Sequence, residues 1–320
     1  MDRNALGRAE LFARLCLPVV GAPMFLLSSP ALLIAQCRAG MVGSMPALNA
    51  RSSAQLDAEL DAIDAALGPD DAPHAINLIL TPGNTRLSDD LAVCERHRVP
   101  LIITSVGAPG DIVARVHGWG GMVLHDVISV RHLEKAAEAG VDGVVLVCAG
   151  AGGHGGQLNP FGFLGEARRH FDGLIALAGS LHSGADILAA QIAGADLAYM
   201  GTRFIASAEC AIEPAYRQIL LDACADDIVA SDWFTGMRAN YLAASIERAG
   251  LPARRLPAAP APGVGSGGHG EFKVWKDIWS AGHGVGEIAD FPPVAELVAR
   301  LREEYLGAAD RAAALAADLK

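Results

Sequence analysis

A histidine set among glycines directly after an apolar run, GVVLVCAGAGGHGG over residues 143–156, is where the sequence best combines reactive and permissive residue types. The run Val144-Val145-Leu146-Val147 has the length and β-branching of a fully buried strand, and the glycines after it let backbone approach a ligand closely. His154, preceded by Gly153, is thereby expected at the carboxyl end of a strand, where parallel α/β folds keep their chemistry. An imidazole there can serve as a base near neutral pH. The same pattern suits a surface loop with an incidental histidine, or a phosphate loop in which the histidine is a bystander. The rest of the chain has to separate these.

Two further turns bear on the choice. Ala178-Gly179-Ser180 and Met200-Gly201-Thr202-Arg203 each end an apolar run just ahead of a helical stretch. Backbone N–H groups at such turns can hold a phosphate dianion without a dedicated lysine. Tight-turn formation explains either one alone, but two in succession point to a phosphate-bearing cofactor. Earlier strand ends offer Ala22-Pro23-Met24 and Asn77, which could pack against and hydrogen-bond a flat ring system, while the fourth strand ends in Thr104-Ser105-Val106-Gly107. His125-Asp126 is a weaker candidate, because neighbours in an extended chain point to opposite sides and the pair reads as strand-end polarity. His182, His269 and His283 all lie near glycine, while His74, His97, His117, His132 and His170 read as surface residues. No HExxH, DxDxG or GxSxG pattern supports a metal site or a serine hydrolase.

Strands expected at 18–22, 41–45, 75–80, 101–105, 122–125, 143–148, 174–178 and 197–201 would position these residues. Helices are expected between them at 30–39, 52–67, 88–98, 110–117, 129–139, 161–171 and 184–193. Several open with a capping serine and close at glycine, as Ser129 with Gly140 and Ser183 with Gly194. Eight strands alternating with helices suit a TIM (β/α)8 barrel with right-handed crossovers. An open doubly wound sheet is the runner-up, and the lack of a GxGxxG turn after the first strand counts against it. The barrel core is assigned to residues 1–207 and a small helical domain or insertion to 208–251, with helices expected at 213–225 and 240–249. A connector and carboxyl-terminal segment returning to the barrel take 252–320. The connector is rich in Pro, Ala and Gly, and the tail reads as an amphipathic helix broken near Gly307.

Composition fits this picture. Hydrophobic residues make up 52% of 320 positions and mean hydropathy is +0.30, as a parallel sheet covered on both faces requires. No apolar run reaches the roughly 18 residues of a membrane span. The amino terminus lacks a sustained apolar core with a cleavage site, so a cytoplasmic location is expected. Six cysteines are spread singly, as reduced thiols rather than a disulfide frame. A formal charge of −11 disfavours nucleic acid as partner.

GAPMFLLSSP, INL around Asn77, AGAGGHGGQLNPFGF, ALAGS, AYMGTRFIAS and WKDIWSAGHGVGEI, in that order, together resemble the nitronate monooxygenases, formerly 2-nitropropane dioxygenases. The resemblance runs from Leu17 to Arg300. It implies an FMN-containing TIM barrel with a small helical domain over the flavin, oxidising alkyl nitronates with O2 to carbonyl compounds and nitrite. By the same resemblance the catalytic histidine falls on His154, and the opening loop against the flavin on Ala22, Pro23 and Met24. The ring-contacting asparagine falls on Asn77, and the phosphate turns on Gly179-Ser180 and Gly201-Thr202. Thr104 and Gly153 join them as candidate cofactor contacts. Two positions depart from the family pattern: His283 stands where relatives usually have Gln, and Leu181-His182-Ser183 stands where they show smaller or β-branched residues.

The chemistry is consistent, since a nitroalkane α-proton is acidic enough for a neutral imidazole to remove, while preformed nitronates need no base. The expected partners are a nitronate or nitroalkane and O2, and a homo-oligomer is compatible with the sequence. An FMN-dependent enoyl-thioester or quinone reductase using NAD(P)H is the main alternative, followed distantly by a non-catalytic flavin-binding protein.

Overall fold

The alternation of apolar strands and capped helices closes on itself in three dimensions. The structure, a computed structural model, describes residues 6–257 and 272–319. In chain order the strands are β1 (Val19–Gly21), β2 (Gly43–Pro46), β3 (His74–Ile79), β4 (Leu101–Ser105), β5 (Met122–Val127), β6 (Gly143–Val147), β7 (Gly153–His154), β8 (Leu174–Ala178), β9 (Leu197–Met200), β10 (Ile228–Ser231) and β11 (Ala239–Leu242). Eight of these pair in parallel in the order β1-β9-β8-β6-β5-β4-β3-β2. A bridge between Val20 and Val42 joins the two edges, with Val42 N–H donating to Val19 O at 3.0 Å and Gly21 N–H to Val42 O at 2.8 Å. All eight expected strands are these barrel strands, and the TIM barrel is the observed fold.

Strand parity divides the core into two layers. Val20, Val42, Ala75, Leu101, Ile103, Leu124, Val145 and Ala176 fill the barrel lumen, whereas Ile76, Ile102, Val123, Val144 and Ile175 face the surrounding helices. Leu6 and Leu11 join the luminal cluster, and Leu6 N–H bonds Gly120 O at 2.9 Å. The segment before β1 therefore plugs the amino-terminal end and leaves the carboxyl end as the mouth. Helix starts follow the expected chemistry. Ser52 and Ser129 cap their helices through the side chain, and Ser183 forms a reciprocal capping box with Asp186.

Three expectations are corrected. The stretch 240–249 is not one helix: Ala239–Leu242 is a strand and the helix runs only over Ala243–Arg248. Tyr241 and Leu242 are buried, and pairing with β10 on one side and β7 on the other gives this stretch an edge-to-edge role that outweighs its helical propensity. The segment after the barrel thus carries the expected helix, here Pro214–Asp222, plus a small antiparallel sheet. The tail is an unbroken helix, Val294–Ala317, passing through Gly307. Its packing on the helix Gly184–Ile192 is tight: a Cβ at Gly184 would sit 2.0 Å from Leu301 O. Third, His74 is buried rather than on the surface. Most of the Pro/Gly connector, with His269, lies outside the described residues. No helix among the described residues is long and apolar enough to cross a membrane.

Candidate active site

The loop after β6 carries the candidate base. Gly150 and Gly153 take φ of +86° and +68°, conformations that cost a side-chain-bearing residue energy. Beyond them, β7 adds to β11, with Gly153 opposite Asn240 and His154 opposite Ala239. The Asn240 amide donates to Ala151 O at 2.7 Å, and Gly153 N–H donates to Ser280 Oγ at 2.6 Å. This loop is therefore a fixed strand. His154 Nε2 lies 2.9 Å from Thr235 Oγ1, and the Thr235 hydroxyl donates to Met237 O at 3.0 Å. A hydroxyl has one proton, so toward the ring it accepts, which puts the imidazole hydrogen on Nε2 and leaves Nδ1 bare. The ring stands edge-on to Trp275 at 5.2 Å and 87°. Burial holds the His154 pKa below its ordinary 6.5, which favours the neutral form.

Four segments converge on the expected phosphate turns. Gly179 and Ser180 have φ of +124° and +60°. A Cβ at Gly150 would lie 2.1 Å from Ser180 Oγ and 3.1 Å from His283 Nδ1. His283 N–H donates to Gly150 O at 2.9 Å, and Gly282 N–H donates to Thr202 Oγ1 at 2.8 Å. His182 lies alongside, its Nδ1 3.1 Å from an Asp186 carboxylate oxygen. His283 thus stands beside the Ser180 turn, exposed. The opening loop meets the same region: a Cβ at Gly201 would contact Ala22 Cβ at 3.4 Å and Met24 Sδ at 3.6 Å. Ala22 N–H donates to Met200 O at 2.9 Å, and the Asn49 amide holds Met24 O at 3.1 Å. Pro23 follows Ala22 on this loop, half-buried.

Asn77 reaches the lumen at the mouth, where its amide nitrogen donates to Ile103 O at 3.2 Å and Ser105 Oγ at 2.8 Å. Thr104 does not join it. Its hydroxyl sits 2.8 Å from His125 Nδ1, on the parity of Ile102, which faces the helices. The luminal residue of β4 is Ser105, and that of β5 is Asp126, accepting from Ser105 Oγ at 2.6 Å. Counting by two from Leu101 and Met122 would have found both, whereas Thr235 and Trp275 come from distant loops whose approach no local pattern announces. Among the described residues, four of the five non-glycine residues with positive φ lie on this side: Leu26, Val106 and Ser180 follow β1, β4 and β8, and Trp275 touches His154, whereas Arg98 precedes β4. Such strain persists only where surroundings enforce it.

With this geometry in place, likeness to known proteins becomes informative. The chain is 29% identical to a nitronate monooxygenase of Paraburkholderia phytofirmans, over 90% of this chain and 92% of the relative. Among solved structures it superposes on the nitroalkane oxidase of Streptomyces ansochromogenes with a TM-score of 0.81 at 22% identity, covering 94% of this chain and 99% of the other. It superposes on FabK of Thermotoga maritima with a TM-score of 0.79 at 21% identity, covering 97% and 99%. At those identities the superpositions speak to the barrel alone. The nitronate monooxygenase family model matches residues 83–304, a span holding His154, both phosphate-type turns and the tail loop, and the chain belongs to that family of flavin-dependent oxidoreductases.

Proposed function

We propose that the protein is an FMN-dependent nitronate monooxygenase that converts alkyl nitronates, and nitroalkanes after deprotonation, to carbonyl compounds and nitrite with O2. The cradle supports a flavin with a single terminal phosphate. Gly150 has no room for a Cβ, and the hydroxyls of Ser180 and Thr202 stand beside glycine backbone at Gly179 and Gly201. A phosphate held there would be met by short hydroxyls and backbone N–H groups. Ala22, Pro23 and Met24 would pack against the ring system, and Asn77 would meet its polar edge. When bound, the flavin supplies the electron and oxygen chemistry that side chains lack.

The observation that carries the reading is the state of His154: neutral through burial, with Nε2 held by Thr235 and Nδ1 left to accept a proton. Nδ1 would take the α-proton of a neutral nitroalkane, and β7–β11 pairing would hold the ring still while it does so. The test is anaerobic. The purified protein should release FMN on denaturation, and its flavin should bleach on addition of a nitronate and stay oxidised with NADPH. Bleaching by NADPH alone would instead assign a reductase.

A further inference from the structure

Three polar side chains stand on successive strands inside the mouth: Asn77 on β3, Ser105 on β4 and Asp126 on β5. The Asn77 amide donates to Ser105 Oγ at 2.8 Å, and Ser105 Oγ donates onward to Asp126 Oδ2 at 2.6 Å. The direction is fixed, because the amide nitrogen has only protons to give and the hydroxyl has only one. Asp126 Oδ1 is left shielded from water with no hydrogen-bond partner among the described residues. A carboxylate in that position is badly served. It receives one donor where an ionised carboxyl normally takes several, and buried polar atoms without partners are costly.

Among the described residues, the groups facing Asp126 bring no compensating cation. Ser105 comes from β4 and Asn77 from β3, Val145 lies opposite on β6, and Tyr199 on β9 is the titratable group that senses it. The neighbouring His125 points the other way, to Thr104. Burial pushes the Asp126 carboxyl up to about 7, against a smaller opposing effect from Ser105.

We infer that Asp126 acts as a neutral carboxylic acid, its proton on Oδ1, donating a hydrogen bond into the ring system of the flavin in the barrel mouth. The inference rests on the flavin reading above. A flavin's pyrimidine edge presents mostly acceptor atoms and gathers negative charge on reduction. A proton donor suits that edge in both redox states, and a carboxylate would repel it.

The test uses the full-length chain stripped of flavin and titrated with riboflavin, which has no phosphate, so neither phosphate ionisation nor His182 and His283 beside the cradle enters. Flavin fluorescence reads the affinity from about pH 5.5 to 9. For the wild type, affinity should hold at the acid end and then fall toward about tenfold per pH unit, the limiting slope when binding requires one proton. Asp126→Asn should flatten this fall. Ser105→Ala, by removing the hydrogen bond that favours the ionised form, should move the fall to higher pH, a shift that general damage to the barrel would not produce. Superimposable profiles of wild type and Asp126→Asn would overturn the inference while leaving the flavin reading intact. Failure of the wild type to bind riboflavin or FMN at any pH would overturn both.

Discussion

His154 Nε2 and Thr235 Oγ1 are 2.9 Å apart, and the Met237 carbonyl, 3.0 Å from the same hydroxyl, decides which of them donates. A loop far from the histidine in sequence thereby sets its tautomer. Thr235→Val should lower turnover of neutral nitroalkanes by about tenfold or more, the scale at which groups orienting a reactive imidazole act. Thr235→Ser should restore it. Steady-state kinetics on both variants, with thermal melts to confirm an intact fold, checks this.

His154→Ala should leave flavin occupancy intact and depress turnover of neutral nitroalkanes by about 10²–10⁴-fold more than turnover of preformed nitronates. In the wild type, kcat/KM for the neutral substrate should fall as pH drops through the His154 pKa, which burial holds below 6.5, since protonation removes the base. The nitronate profile should lack that limb. Equal losses on both substrates would assign His154 to binding.

Gly150→Ala asks whether the cradle needs the space a missing side chain provides. The added Cβ would meet Ser180 Oγ at 2.1 Å, at a backbone φ of +86°. Flavin content per chain should drop sharply while circular dichroism stays that of the folded barrel. Full occupancy in the variant would move the phosphate elsewhere.

His283 lies against Gly150 and the Ser180 turn, so its effect is expected at the phosphate end of the cofactor. His182 and Asp186 are the other titratable side chains beside that turn. An imidazole can donate a ring N–H toward a phosphate oxygen from a rigid ring, whereas glutamine reaches with a flexible amide. His283→Gln should therefore weaken FMN binding and leave riboflavin binding unchanged. Parallel fluorescence titrations with the two flavins decide it, and equal effects on both would place His283 at the ring.

Stability of the flavin-free chain should respond to buried groups with opposite signs. Burial lowers His74 and His125 from 6.5 to about 4. Between those values the unfolded chain binds protons that the folded one refuses, so stability falls as pH drops from about 6.5 to 4, by on the order of a few kcal/mol for each histidine. Asp126 is raised from 3.8 to about 7. Over that window the folded chain holds the extra proton, so this group costs stability as pH rises. Asp126→Asn should raise the melting temperature at pH 8 more than at pH 5, and His125→Gln should flatten the acid limb. Urea midpoints across pH measure both.

How far the sequence could be read follows from which forces are local. Ser129 and Ser183 cap the helices they precede, and parallel strands buried on both faces are apolar throughout, so the barrel is written in short-range pattern. His154, Asn77, Gly179 and Gly201 were visible because strand ends of a barrel converge on one face. Thr104 shows the limit, since a one-residue difference in parity separates the mouth from the helix layer, and Ser105 holds the luminal place. Asn240 and Tyr241 lie in a stretch with helical composition whose conformation is fixed by β7 and β10, partners distant in sequence. His74 is buried by the packing around the start of β3, which its own neighbours do not reveal.

The pairing of Gly153 and His154 with Asn240 and Ala239 also constrains how this enzyme can be re-engineered. One two-residue strand belongs at once to the loop that carries the proposed base and to the small antiparallel sheet, so the two are not separable modules. A chimera that imported another relative's segment over 228–242 would re-aim the His154 imidazole. Grafts should therefore carry residues 150–156 together with 228–242, and libraries that randomise 228–242 alone should return inactive but well-folded barrels more often than new specificities.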